Sequence, residues 1–89
     1  MSKLNISFSP EAFEDYKNWQ TQDKKVWKKI NQLIKSIDRD GMLDGIGKPE
    51  RLKGGFSGWY SRRITQDHRL VYKVTSESIL AASCKYHYQ

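Results

Sequence analysis

Leu4, Ile6 and Phe8 alternate with Lys3, Asn5 and Ser7 at the start of the chain. A period of two predicts a short, half-buried strand. The period then changes. Ser9-Pro10-Glu11 supplies an N-cap hydroxyl, a proline at the first helical position and an acid at the positive end of the helix dipole. Phe13, Tyr16 and Trp19/Gln20 follow at helical spacing. Thr21-Gln22-Asp23 interrupts that helix and offers a second cap. Val26, Ile30, Leu33, Ile34 and Ile37 then form the apolar stripe of a longer second helix, whose other face carries Lys24, Lys25, Lys28, Lys29 and Lys35. Two helices with so short a link predict a helical hairpin, and Gly41 is placed to end it.

From Gly41 to Gly58 the chain turns to Gly, Lys and Pro, which reads as loop with one short strand at Arg51 to Lys53. A connection of this length inside a small domain is usually functional or disordered. Three strands are expected after it: Trp59 to Ile64, Arg69 to Thr75, and Ser78 to about Tyr86. Their short connections predict an antiparallel meander. Strand, two helices, then strands is the order of an α+β domain, with the hairpin packed on one face of a mainly antiparallel sheet. The 89 residues make one domain, 1–89.

Composition narrows the class. Lys and Arg number 16 against 10 Asp and Glu, a net charge of +6, which implies an anionic partner, nucleic acid before an acidic protein. Nothing approaches the apolar run of a membrane span. Met1 to Phe8 lacks the pattern of a signal peptide. A single cysteine, Cys84, makes neither an internal disulfide nor a Cys-based zinc site. A soluble, cytoplasmic protein is expected. Cys84 alternates with Leu80 and Ala82, so it reads as a small buried residue.

The sheet face away from the helices is expected to carry the chemistry. Arg62, Arg63, Arg69, Lys73 and Lys85 crowd into the strands, with Trp59, Tyr60, Tyr72, Tyr86 and Tyr88 between them. Cations for phosphates and rings for unstacked bases suit RNA, although a solvated face with half-buried tyrosines fits the same pattern. No His/Asp/Glu cluster has metal-ligand spacing, and no phosphate loop or nucleophile elbow occurs. The residues present allow another route. A ribose 2′-OH attacks the adjacent phosphorus if a base takes its proton, a cation holds the phosphorane charge and an acid protonates the leaving 5′-oxygen. Glu50 can be the base, Arg69 the clamp and His87 the acid. Lys53 and Arg63 can hold phosphates, and Tyr88 can position or stack. Taken singly, Glu50 reads as well as a loop acid, Arg69 as a surface cation and His87 as a frayed-tail histidine. His68, in a turn, is given no catalytic role. Trp19 and Trp27 lie on helices, where core or partner contact fits better than base stacking.

The motifs taken together are more specific. Lys48-Pro49-Glu50-Arg51-Leu52-Lys53, Gly58-Trp59-Tyr60-Ser61-Arg62-Arg63-Ile64, His68-Arg69-Leu70-Val71-Tyr72 and Cys84-Lys85-Tyr86-His87-Tyr88 occur in order. With Tyr16, Trp19 and Lys28-Lys29-Ile30-Asn31, the chain resembles the YoeB/Txe toxins of the RelE/ParE superfamily over nearly its whole length. Two departures stand out. The tail runs one residue further, to Gln89, and Arg51 stands where some members carry a second proline. The resemblance implies a RelE-like fold and a ribosome-dependent endoribonuclease that cuts mRNA in the ribosomal A site without metal or cofactor. It implies Glu50, Arg69, His87 and Tyr88 as catalytic residues. Lys53 and Arg63 would contact the message, and Lys28 and Lys29 the ribosomal RNA. It also implies silencing by a cognate acidic antitoxin of the YefM/Axe kind, contact with operator DNA only through that complex, and a homodimer. The rival reading is a ParE-like binding module that acts on gyrase and cuts no RNA. Such chains generally lack the Glu50, Arg69, His87 and Tyr88 set.

Overall fold

The computed structural model describes residues 3–85. The elements run β1 (Asn5–Phe8), α1 (Pro10–Gln22), α2 (Lys24–Asp40), β2 (Glu50–Arg51), β3 (Tyr60–Arg63), β4 (Arg69–Val74) and β5 (Ser78–Ser83), with a 3₁₀ turn at Gly54–Phe56. The five strands form one sheet in the order β1-β5-β4-β3-β2. β2 to β5 pair antiparallel with their neighbours, and β1 lies parallel to β5. The expected α+β fold is therefore present, with its C-terminal meander. The short strand sits at Glu50–Arg51 rather than at Arg51 to Lys53.

Local chemistry fixes the hairpin. Ser9 Oγ accepts the Ala12 N–H at 3.0 Å and donates to the Ala82 carbonyl at 2.8 Å, so one hydroxyl caps α1 and ties it to the sheet. Asp23 ends α1 and caps α2, its carboxylate accepting the Lys25 and Val26 N–H groups. Gly41 closes α2 at φ +101°, a conformation that favours glycine. Val26, Ile30, Leu33 and Ile37 of α2 are buried against Leu70, Tyr72, Ile79 and Ala81 of the sheet. In α1 the buried stripe is Ala12 with half-buried Tyr16 and Trp19, whereas Phe13 stands 47% exposed, one position off the expected face.

Two expectations about the sheet are corrected. Adjacent strand residues point to opposite faces, so Arg62 and Arg63 cannot share the helix-free face. Tyr60, Arg62 and Ile64 point toward the helices, as does Tyr72. Arg62 and Tyr72 are fully buried, and their expected place on the open face is overturned. The second correction concerns β5. Ile79 and Ala81 are core residues while Leu80 and Ala82 are only half-buried. A β-bulge pairs Val71 with Ser83 but Tyr72 with Ala81. The extra residue inverts the alternation, and this is how Cys84 reaches the core out of phase with Ile79 and Ala81.

Candidate functional site

The helix-free face is built by register. Glu50 of β2 lies opposite Ser61 of β3, Ser61 opposite Val71 of β4, and Val71 opposite Ser83 of β5. These four positions make one row across four strands. The next row joins Arg63 to Arg69, directly paired. Lys73 follows on the same strand, its ammonium 5.6 Å from the centre of the Trp59 ring.

Two like charges opposite each other on a sheet are unfavourable. The ion pairs among the described residues, Lys17–Glu14 and Arg39–Asp40, lie elsewhere. Arg69 is held by the β3–β4 turn: its Nη1 donates to the carbonyls of Thr65 at 2.8 Å, Gln66 at 3.1 Å and His68 at 3.2 Å. Neutral carbonyls orient the guanidinium without cancelling its charge. Two such cations paired on a surface free of helices give it a positive charge of the kind an anion needs. His68 in that turn packs edge-on to the Trp19 indole, ring centres 4.9 Å apart.

Glu50 owes its place to the loop that precedes it. The Arg62 guanidinium spends all five N–H donors inside the fold. Nε donates to Tyr72 Oη at 2.9 Å, Nη1 to Ser36 Oγ at 3.0 Å and the Ile46 carbonyl at 2.9 Å, and Nη2 to the carbonyls of Gly41 and Asp44, both at 2.6 Å. Tyr72 Oη donates in turn to the Met42 carbonyl. Burial pushes the Tyr72 phenol up, against the opposing effect of Arg62. Ser36 Oγ donates to Asp40 at 2.9 Å, and hydrogen bonds from Arg39 and Ser36 hold the Asp40 carboxyl below its ordinary range. The loop from Gly41 to Ile46 is thereby wrapped around one buried cation.

The loop then meets the sheet. The Gly47 carbonyl accepts the Arg63 N–H at 2.7 Å. Gly47 has φ +88°, and a Cβ there would lie 2.5 Å from Leu33 Cδ2 and 3.1 Å from Arg62 Cβ, so no larger residue fits. Lys48 takes φ +49° although it is not glycine and precedes a proline. Such strain is sustained only where the surroundings dictate it, and it clusters at functional positions. Glu50 comes next after Pro49 and is solvent-exposed.

Of the expected site residues, Glu50, Arg63 and Arg69 share the helix-free face on three adjacent strands. Lys53 is exposed and opens the 3₁₀ turn beyond β2. Lys28 is exposed and Lys29 half-buried on α2, away from the buried stripe. His87 and Tyr88 lie outside the described residues. Sequence reasoning put Arg62 and Tyr72 on the open face and gave Ser36 and Gly47 no role, whereas all four support the site from beneath. The alternation Tyr60, Arg62, Ile64 was the available signal, since it gives Arg62 the parity of an apolar position. Among the described residues no three His, Cys, Asp or Glu side chains converge as metal ligands would, and no helix is long and apolar enough to cross a membrane.

Comparison with known proteins adds to this geometry. The model of the YoeB-like toxins of bacterial type II toxin–antitoxin systems matches residues 8–88. The toxin YoeB of Escherichia coli K12 is 52% identical over 85 residues, covering 96% of this chain and all of that protein. The Staphylococcus aureus YoeB dimer structure superposes with a TM-score of 0.93 at 64% identity, covering 98% of this chain and 100% of that one. The toxin chain of the heterotetrameric YoeB–YefM complex from the same organism gives 0.90 at 64% identity, with the same coverage.

Proposed function

Because this chain belongs to the YoeB-like toxins of bacterial type II toxin–antitoxin systems, we propose that it is a ribosome-dependent mRNA endonuclease that cuts in the A site by attack of the message's own 2′-OH. The observation that carries this reading is the shared face. An exposed carboxylate, Glu50, lies one row from the facing guanidinium bearers Arg63 and Arg69, on three neighbouring strands.

In this reading Glu50 removes the 2′-OH proton, and the 2′-oxygen attacks phosphorus. Arg69 holds the added negative charge of the phosphorane, and Arg63 and Lys53 hold flanking phosphates. The bond from phosphorus to the 5′-oxygen breaks, and His87 gives that oxygen its proton. The products are a 2′,3′-cyclic phosphate and a free 5′-hydroxyl. Tyr88 positions the substrate. No metal or cofactor takes part. The lysine face of α2, with Lys28 and Lys29, contacts ribosomal RNA electrostatically.

The S. aureus complex and dimer support a YefM-like antitoxin and a homodimer as partners; in this reading the antitoxin is acidic, of the YefM/Axe kind, and contact with operator DNA comes only through its complex. A groove lined by Ile6, Phe8, Tyr16 and Ile34, with Asn31 and Lys35, fits apolar side chains on an acidic segment. The rival reading, a ParE-like protein acting on gyrase, leaves the Glu50–Arg63–Arg69 face without a use. Primer-extension mapping after brief induction separates the two. New 5′ ends phased with codons on translated messages are expected. Intact messages accompanied by DNA damage would replace this reading with its rival.

A further inference from the structure

The helix-free face continues past Glu50. The register that pairs Tyr60 with Tyr72 sets Trp59 against Lys73. Strand parity puts both on the side of Ser61 and Val71, away from the helices. The cross-strand contact agrees: the Lys73 ammonium lies 5.6 Å from the centre of the Trp59 ring. Three rows therefore succeed one another along the strands. Arg63 and Arg69 form the first, Glu50 with Ser61 and Val71 the second, and Trp59 with Lys73 the third. Neighbouring rows are about 7 Å apart, the length of two strand residues.

Trp59 is fixed through its backbone. Its N–H donates to the Phe56 carbonyl at 3.0 Å, and its carbonyl accepts the Leu52 N–H at 3.0 Å. The Trp59 side is half-buried and Lys73 is exposed. Neither ion pair among the described residues involves Lys73. A held ring with an uncancelled cation beside it combines a π-face for a base with charge for a phosphate backbone.

The order of the rows gives the message a direction. Arg69 holds the phosphorane, and Glu50 takes the proton of a 2′-OH that belongs to the nucleotide 5′ of the cut. From Arg69 toward Glu50 the message therefore runs toward its 5′ end, and the next row that way is Trp59 with Lys73. We propose that the base 5′ of the cut stacks on Trp59, with Lys73 beside the phosphate that precedes it, and that this pair sets a preference for a purine at that position. The inference rests on the roles of Glu50 and Arg69 in the reading above. Stacking reads no hydrogen-bonding edge, so the larger ring system of a purine is what it favours.

Single-turnover cleavage on programmed ribosomes is measured for wild type and Trp59→Ala, with ribosome affinity and thermal midpoint read separately. The messages carry adenine, uracil or an abasic ribose 5′ of the cut, or an abasic ribose 3′ of it; all keep the 2′-OH. Wild type should cut in the order adenine, uracil, abasic at the 5′ position, with about tenfold between the extremes, inside the range for one base on one ring. Trp59→Ala should slow the adenine message about tenfold at unchanged ribosome affinity and cut the three 5′ variants within about twofold of one another, because the ring that told them apart is gone. On the 3′-abasic message the substitution should keep its full cost. A merely structural role would slow every message alike and preserve the order. That result, wild-type rates for Trp59→Ala, or a cost that vanishes with the 3′ base instead would each overturn the proposal. Efficient cutting by wild type of a message 2′-deoxy at the nucleotide 5′ of the cut would instead overturn the reading of Glu50 and Arg69, through an arm that does not involve Trp59. Should Trp59→Ala fail to fold, Trp59→Leu, which fills the site without a π-face, carries the same expectations.

Discussion

Deleting His87 to Gln89 is expected to slow single-turnover cleavage on programmed ribosomes by about 10²–10⁴-fold, the usual worth of a general acid. Loss of Tyr88 as a positioning group adds to that defect. The fold should tolerate the deletion. β5 finishes at Ser83, the core closes on Ile79, Ala81 and Cys84, and Cys84 is already secured to α1. The thermal midpoint should therefore move by less than about 4 °C, the shift of roughly 1 kcal/mol in a domain of this size. Antitoxin affinity should fall less than activity does. A folded truncation that cuts within about threefold of the full chain, far inside the general-acid range, would remove both tail residues from the mechanism and leave Glu50 and Arg69 alone.

Replacing Arg62 should produce the largest loss of stability. The side chain is fully buried and meets five acceptors. Methionine matches its volume but leaves the carbonyls of Gly41, Asp44 and Ile46, and the Tyr72 and Ser36 hydroxyls, without their donors. Hydrogen bonds to a charged group are worth about 1.5–3 kcal/mol each. The loop residues are otherwise exposed, so water can replace part of the loss. A net cost of about 3 kcal/mol is expected, which lowers the midpoint by roughly 12–24 °C. Arg62→Lys should not rescue it, since an ammonium has three donors on one atom and no planar fork. A midpoint within about 4 °C of wild type for Arg62→Met would show that the loop stands without its buried cation.

Arg62 also marks the boundary of what the sequence reveals. Caps and stripes were legible because their chemistry is local: Ser9, Asp23 and Gly41 act within a turn or two of helix, and Val26, Ile30, Leu33 and Ile37 repeat at one period. The meander was legible from short connections. The inward aim of Arg62 was not. Its partners lie 10 to 26 positions away in sequence, and a basic residue beside Arg63 suggests an exposed pair until strand parity is applied. The β5 alternation was misread for a related reason. A bulge is set by how β4 and β5 pair, and no residue in β5 announces it. The helix-free face itself was half legible. Glu50, Arg63 and Arg69 stand out by residue type and motif, whereas the strained Lys48 and the constrained Gly47 that present Glu50 become visible only when the loop is seen packed on Leu33 and Arg62.

The lysines on α2 and the cations on the sheet serve different ends in this account. The first bring the toxin to the ribosome, and the second hold the scissile phosphate and its neighbours. The chemical step is therefore best tested with the ribosome held constant and a single atom of the message changed. The measurement is single-turnover cleavage of an A-site message whose nucleotide 5′ of the cut is 2′-deoxy, beside its ribose counterpart, in buffer whose divalent ions only maintain the ribosome. The ribose message should be cut to a 2′,3′-cyclic or 3′-phosphate end, and the deoxy message should stay intact at equal ribosome occupancy. Efficient cutting of the deoxy message would contradict attack by the 2′-OH, and with it the roles given to Glu50, Arg69 and His87.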